Sequence, residues 1–196
     1  MRRRETPKVC HALLQDPKFF LLLLRADEEL AEELRAGGCP CGGVLHRADY
    51  PRKPRGCLNE VRADYQSRFS FCCSRCRKRF TSMSVRFLGR RVYLAVAVVL
   101  VSARRAESAS ASRLSGTLAV PLRTVERWRQ WWGAQFPLTP LWRAACARFM
   151  PPVLAARLPA SLLERFAGSA LDCLMRLLVF LSPLTVRLPI ILREAR

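Results

Sequence analysis

Four cysteines in two close pairs are the residues best placed to do chemistry in this chain. Cys39 and Cys41 sit in Gly38-Cys39-Pro40-Cys41-Gly42-Gly43, and Cys73 and Cys76 in Cys72-Cys73-Ser74-Arg75-Cys76. Zinc takes four soft ligands at the corners of a tetrahedron, and two tight turns offering two thiolates each supply them. Glycines after the first pair let the backbone turn its N–H groups towards sulfur, which favours thiolate. Cys73-x-x-Cys76 has the usual knuckle spacing, whereas Cys39-x-Cys41 is one residue shorter. Cys72 is an alternative to Cys73, and His46 or Cys57 to a member of the first pair. A zinc bound by four thiolates has no open coordination position. The expectation is therefore one structural Zn2+, which holds together a unit too small to fold by apolar burial alone.

Basic residues form the second set. Pro51-Arg52-Lys53-Pro54-Arg55-Gly56 reads as a stiff loop between the knuckles, suited to a phosphate backbone or a minor groove. Arg75, Arg77, Lys78 and Arg79 overlap the second knuckle, and Arg86, Arg90 and Arg91 continue the stripe. A third group lies in Leu122-Arg123-Thr124-Val125-Glu126-Arg127-Trp128-Arg129-Gln130-Trp131-Trp132. Val125, Trp128 and Trp132 fall on one helix face, and Arg123, Thr124, Arg127 and Gln130 on the other. Arg and Gln each meet a base edge bidentately, so this exposed face is where a recognition helix reads the major groove.

The elements that must position these groups follow from local signals. Asp16-Pro17 is an N-cap with proline at the first helical position, and Gly37-Gly38 is a stop, giving a helix to about Arg35. Its first half, FFLLLL, is apolar all round, and its second half is amphipathic and acidic. Residues 39 to 86 read as short strands and knuckles. A helix from about 90 to 104 carries Val92, Val96, Val99 and Leu100 on one face. A shorter helix over 110 to 118 follows, then a turn at Ala119-Val120-Pro121 and the aromatic helix. Pro137 and Pro140 mark a linker, and residues 141 to 182 read as helical with breaks at Pro151-Pro152 and Pro159. The fold class is mainly α with a small β zinc ribbon, a homeodomain-like helix-turn-helix of three helices and C-terminal helices. The expected segments are 1–37, 38–88, 89–136 and 137–196.

Composition bounds the partner. Across 196 residues, Lys plus Arg number 34 against 15 Asp plus Glu, a formal charge of +19. A surplus this large calls for a polyanion, with nucleic acid ahead of an anionic membrane surface. The start MRRRETPKVCHALLQ has no signal-peptide pattern, and an odd count of nine cysteines suits a reducing compartment and metal ligation. A cytoplasmic, nucleoid-associated protein is expected. No apolar run reaches the roughly 18 to 20 residues of a membrane span. Lone Cys10, Cys146 and Cys173 read as small hydrophobes.

Two stretches carry a family resemblance. Cys39 to Gly43, YPRKPRG at 50 to 56 and RFSFCCSRCRKRFTSMSVRFLGRRVYL at 68 to 94 resemble the zinc-ribbon proteins found with bacterial insertion elements. LAVPLRTVERWRQWW at 118 to 132 is similar to the helix-turn-helix of transposase-like and homeodomain-like bacterial proteins. The resemblance covers about half of the chain. It departs from the pattern at Ala119, where such turns usually hold glycine, and at Gly116 inside the second helix. It implies recognition of double-stranded DNA, with Cys39, Cys41, Cys73 and Cys76 as ligands and Arg123, Thr124 and Arg127 as the recognition face. A catalytic transposase subunit or a polymerase is a further partner class.

An enzyme is not expected. DNA-cutting transposases need three carboxylates converging on two metal ions. After the ribbon the chain has only Glu107, Glu126, Glu164, Asp172 and Glu194, in helical or loop contexts, and no nucleotide-binding fingerprint. The leading expectation is a DNA-binding protein without a catalytic core. The alternative is a protein-interaction scaffold or a transcription-associated zinc-ribbon factor, with FFLLLL and Leu171 to Leu181 as buried partner surfaces.

Overall fold

The computed structural model of the chain describes residues 12–88, 92–103, 118 and 120–186. Helices dominate, with one small antiparallel sheet of three strands and a second pair of short strands. Helix α1 runs Pro17–Ala36, with Asp16 accepting from the Lys18 N–H at its start, as the Asp-Pro signal requires. Gly37 and Gly38 end it, and Gly38 has φ of +66°, a conformation an L side chain rarely adopts.

The apolar half of α1 does not face one way. Phe19, Phe20 and Leu23 enter the main core, Leu21 and Leu22 stay exposed, and Leu24, Ala31 and Leu34 cover the cysteine-bearing unit. The helix thus lies across both hydrophobic clusters of the described residues.

Strands β1 (Leu45–Arg47), β2 (Tyr50–Pro51), β3 (Ser67–Arg68) and β4 (Ser70–Cys73) form one long antiparallel ribbon. Leu45 pairs with Cys73 and Arg47 with Phe71; beyond a gap, Tyr50 pairs with Arg68 and Pro51 with Ser67, all in the same register. In the gap the Ala48 N–H donates to the Ser70 carbonyl, while the Asp49 carboxylate accepts from the Ser70 N–H. A side chain thus replaces a ladder bond without shifting the register. Strand β5 (Arg79–Thr81) adds to β4. The ribbon carries the chain from the cysteine end to the PRKPRG loop. Seven residues separate Leu45 from Arg52, roughly 23 Å at strand rise.

Helix α2 spans Ala95–Ser102 and is buried on every side. The helix expected over 90 to 104, with one apolar face, is therefore shorter and has no solvent face. Val92 lies outside it and is 41% exposed. The cause is upstream: Tyr93 and Leu94 are held extended by bridges to Arg55 and Phe87, so helix geometry begins only at Ala95. Four valines make this a poor isolated helix, and burial rather than propensity keeps it helical. Helix α3, Leu122–Gln130, packs against α2 and continues into one widened π turn, Trp131–Gln135. Apart from Leu118, the helix expected over 110 to 118, with Gly116 and Ala119, lies outside the described residues, as do Cys10, Arg90 and Arg91.

Helices α4 (Pro140–Ala145), α5 (Ala160–Leu163) and α6 (Ala170–Leu181) complete the main core. Thr139 caps α4, and a reciprocal Ser169/Asp172 capping box starts α6. No helix among the described residues is long and apolar enough to cross a membrane.

Candidate metal centre and basic surfaces

The two knuckles meet at one end of the ribbon. In the first, the Gly42 N–H donates to the Cys39 carbonyl at 2.8 Å, with Gly42 at φ +76°. Gly43 is demanded by contact: a Cβ there would lie 2.5 Å from Cys73 Sγ. In the second, the Cys73 N–H donates to Lys78 O and the Arg77 N–H to Cys73 O, with Arg77 at φ +59°. The turns are pinned together by Ser74 N–H to Val44 O at 2.9 Å, Val44 N–H to Ser74 Oγ, and Arg75 to Cys41 O.

The Sγ atoms of Cys39, Cys41, Cys73 and Cys76 all lie within 4.8 Å of one another. Cys39 to Cys41 is 3.3 Å, Cys41 to Cys73 3.4 Å and Cys39 to Cys76 3.5 Å. Sulfurs on a tetrahedron with bonds of about 2.3 Å lie roughly 3.8 Å apart. The four residues therefore fit a single metal ion, with Cys39 and Cys73 buried and Cys41 and Cys76 exposed. The alternatives are resolved against. His46 stands on β1 opposite Cys72, the Cys72 thiol points to the carbonyls of Cys73 and Arg77, and Cys57 packs on the main core.

The two buried thiols differ. The Cys76 N–H, aided by the Arg75 N–H against the effect of burial, pulls Cys73 down to about 6. Cys39 receives the Cys41 N–H, which favours thiolate. Burial and the neighbouring thiols outweigh it and push Cys39 up to about 12. Among the described residues, six form the buried cluster of this unit: Ala31, Cys39, Leu45, Phe69, Phe71 and Cys73. In so small a core, a metal ion held by the four convergent thiols would act as a cross-link.

The basic residues divide into two groups. Near the thiols, Arg75, Arg77 and Lys78 are exposed, while Arg79 is exposed but donates to Ala48 O and Ser70 Oγ. At the far end of the ribbon, Lys53 and Arg55 are exposed, and the half-buried Arg52 guanidinium lies 5.2 Å over the Phe87 ring. The Arg55 N–H donates to Val92 O and the Leu94 N–H to Arg55 O. Tyr93, between them, packs edge-on against Trp128 of α3 with centroids 5.0 Å apart. The loop and α3 are thus joined through residues 92–94. On α3, Val125 and Trp128 are buried, as is Trp132 just beyond it. Arg123, Arg127 and Gln130 are exposed, and the half-buried Thr124 accepts from Arg127.

One reading of the basic residues needs correction. Arg86 is fully buried and takes no part in an outward stripe. Its Nε donates to Asp27 at 2.8 Å, its other nitrogens to the carbonyls of Asp64 and Ser67, and its guanidinium stacks near Tyr65, Phe69 and Phe87. A second buried arginine belongs to the same hub, in the strand segment Arg68-Phe69-Ser70-Phe71. All four are buried, with Arg68 facing Asp27 at 3.8 Å and donating to Ser82 O and Thr185 Oγ1. Burial lowers the Arg68 pKa against the opposing pull of Asp27. Sequence reasoning missed this hub, yet Asp27 lies on the stripe Phe20, Leu23, Asp27, Ala31, and an acid on an apolar stripe signals a buried cation.

Compared with protein-family models, curated proteins and solved structures, the chain matches none.

Proposed function

We propose that this chain binds double-stranded DNA, using a zinc ribbon and the exposed face of α3. The observation that carries the reading is the junction at Arg55, Tyr93 and Trp128. It brings the basic loop, remote in sequence, onto the body that displays Arg123, Arg127 and Gln130. Lys53, Arg55, Arg77 and Lys78 serve phosphates, which fix orientation without reading sequence. Arg123, Arg127 and Gln130 serve base edges, Arg towards guanine and Gln towards adenine. Zinc at the four cysteines, when bound, supplies only a cross-link that sets the second basic turn against the first.

Two of the five carboxylates after the ribbon are engaged in local structure. Asp172 closes the α6 cap and Glu164 pairs with Arg157. A place in DNA transposition rests on the resemblance of the two motifs alone.

The test is selection of duplexes from a random pool at several salt concentrations, with and without a zinc chelator. Binding that falls steeply with salt, enriches a sequence and weakens with chelation supports the proposal. Salt-insensitive capture, or none, overturns it in favour of a protein-binding scaffold.

A further inference from the structure

Two clefts open on either side of the Arg55–Tyr93 junction. The first, about 930 Å³, is lined by Arg52, Lys53, Arg55 and Arg62 together with the amides of Asn59 and Gln66. The second, about 430 Å³, is lined by Tyr93, Trp131, Arg127, Gln130 and Gln135 among others. Trp131 and Gln135, at the two ends of the π turn, both border it together with Gln130. Lys53, Arg55, Arg62, Gln130 and Gln135 are exposed, while the half-buried Trp131 packs edge-on against Trp132 and also lines the second cleft.

The two clefts differ in chemistry in a way that one ligand reconciles. The three exposed cations Lys53, Arg55 and Arg62 suit consecutive phosphates. An indole flanked by amides and a guanidinium suits the flat face and the pairing edge of an unpaired base. A base inside a duplex offers only its groove edge, which Arg127 and Gln130 can meet, but no free face for Trp131.

We propose that these adjoining clefts hold an unpaired nucleotide, its backbone on the cationic side and its base against Trp131. The preferred DNA is then a duplex with a single-stranded flank or an extruded base beside the tract that α3 faces. This deepens the DNA-binding reading and rests on it.

The experiment measures the affinity of the full zinc-loaded chain for three fluorescent probes. These are a blunt duplex, the same duplex with a short thymidine flank at either end polarity, and that flank made abasic. The flank is expected to tighten binding by roughly 5- to 150-fold, the range for one stacked base, and the abasic flank to lose that gain. In Trp131→Ala the flanked-to-blunt ratio should fall towards one, and in Trp131→Phe it should partly recover. If Trp131→Ala does not fold, judged by thermal unfolding, the abasic comparison on the unaltered chain decides alone. Equal binding of thymidine and abasic flanks overturns the proposal, and with blunt duplex still bound in a salt-dependent way it leaves the duplex reading standing. Failure to bind any probe in that way sinks both.

Discussion

At the scale of single residues, the candidate metal centre is tightly constrained at Gly43. Gly43 has no room for a Cβ, because Cys73 Sγ would lie 2.5 Å away and Arg75 Cβ 3.0 Å. Neither neighbour can retreat easily, since Cys73 is a ligand candidate and Arg75 belongs to the same turn. Gly43→Ala should therefore lower bound zinc well below one per chain in native mass spectrometry, whereas Pro40→Ala, at an exposed position, should not. A Gly43→Ala chain that retains a full zinc would show that the turn yields. The thiols also fix a pH dependence. At neutral pH Cys73, held at about 6, is already thiolate, while Cys39, pushed to about 12, keeps its proton until a metal displaces it. Zinc uptake should release protons, and apparent affinity should weaken as pH falls from neutral, most steeply once Cys73 also protonates near 6. Competition with a chelator of known pH dependence measures this, and an affinity flat from pH 8 to about 5 would contradict four-thiolate binding.

Elements reveal why parts of the fold were legible and others were not. The start and end of α1 were readable because Asp16-Pro17 and Gly37-Gly38 act locally. So was the inward stripe Val125, Trp128 and Trp132, because helical spacing fixes which side chains share a face. The knuckle residues were readable from type and spacing, but choosing among Cys72, Cys57 and His46 required the ribbon register, a long-range property. Helix α2 and Arg86 were misjudged for a common reason. Burial on all sides is decided by how many other elements surround a segment, which no local pattern encodes. The Asp27 hub ties α1 to the ribbon and to the segment Ser84 to Arg86: its carboxylate meets the Ser84 hydroxyl, the Val85 N–H and Arg86. Asp27→Asn keeps the shape but leaves Arg86 and Arg68 buried without a counter-charge. The expected loss is about 3–5 kcal/mol, read from denaturant unfolding of the zinc-loaded chain. A loss below about 1 kcal/mol would mean that carbonyl acceptors alone sustain the two guanidiniums. Trp128→Ala, which removes the contact joining α3 to Tyr93, should cost a similar amount through lost packing.

For the whole molecule the ribbon acts as a spacer. It holds Arg77 and Lys78 at the cysteine end, roughly 23 Å along the strands from Arg52 at the loop that docks near α3. The Debye length is about 10 Å at 0.1 M salt, so charges at the two ends barely feel one another through solvent. Each end should then contribute to DNA binding on its own, in a different currency. Lys78 is an exposed cation on a turn, suited to a phosphate. Lys78→Ala should weaken matched and mismatched duplexes alike and flatten the plot of log affinity against log salt by about one unit. Arg127 stands on the exposed face of α3, its guanidinium donating to Thr124 at 3.3 Å. If it reads a guanine, Arg127→Ala should cost about 1–3 kcal/mol on the matched duplex and little on one altered at that base pair. Because the two sites share no partner and lie far apart, the double variant should lose the sum of the two effects to within about 0.5 kcal/mol. Titrations of the four proteins on both duplexes across a salt series measure all three quantities. Identical, sequence-independent losses from both single variants would mean that α3 contributes charge but reads nothing. A double variant that loses much less than the sum would mean that the ribbon does not keep its ends apart on DNA.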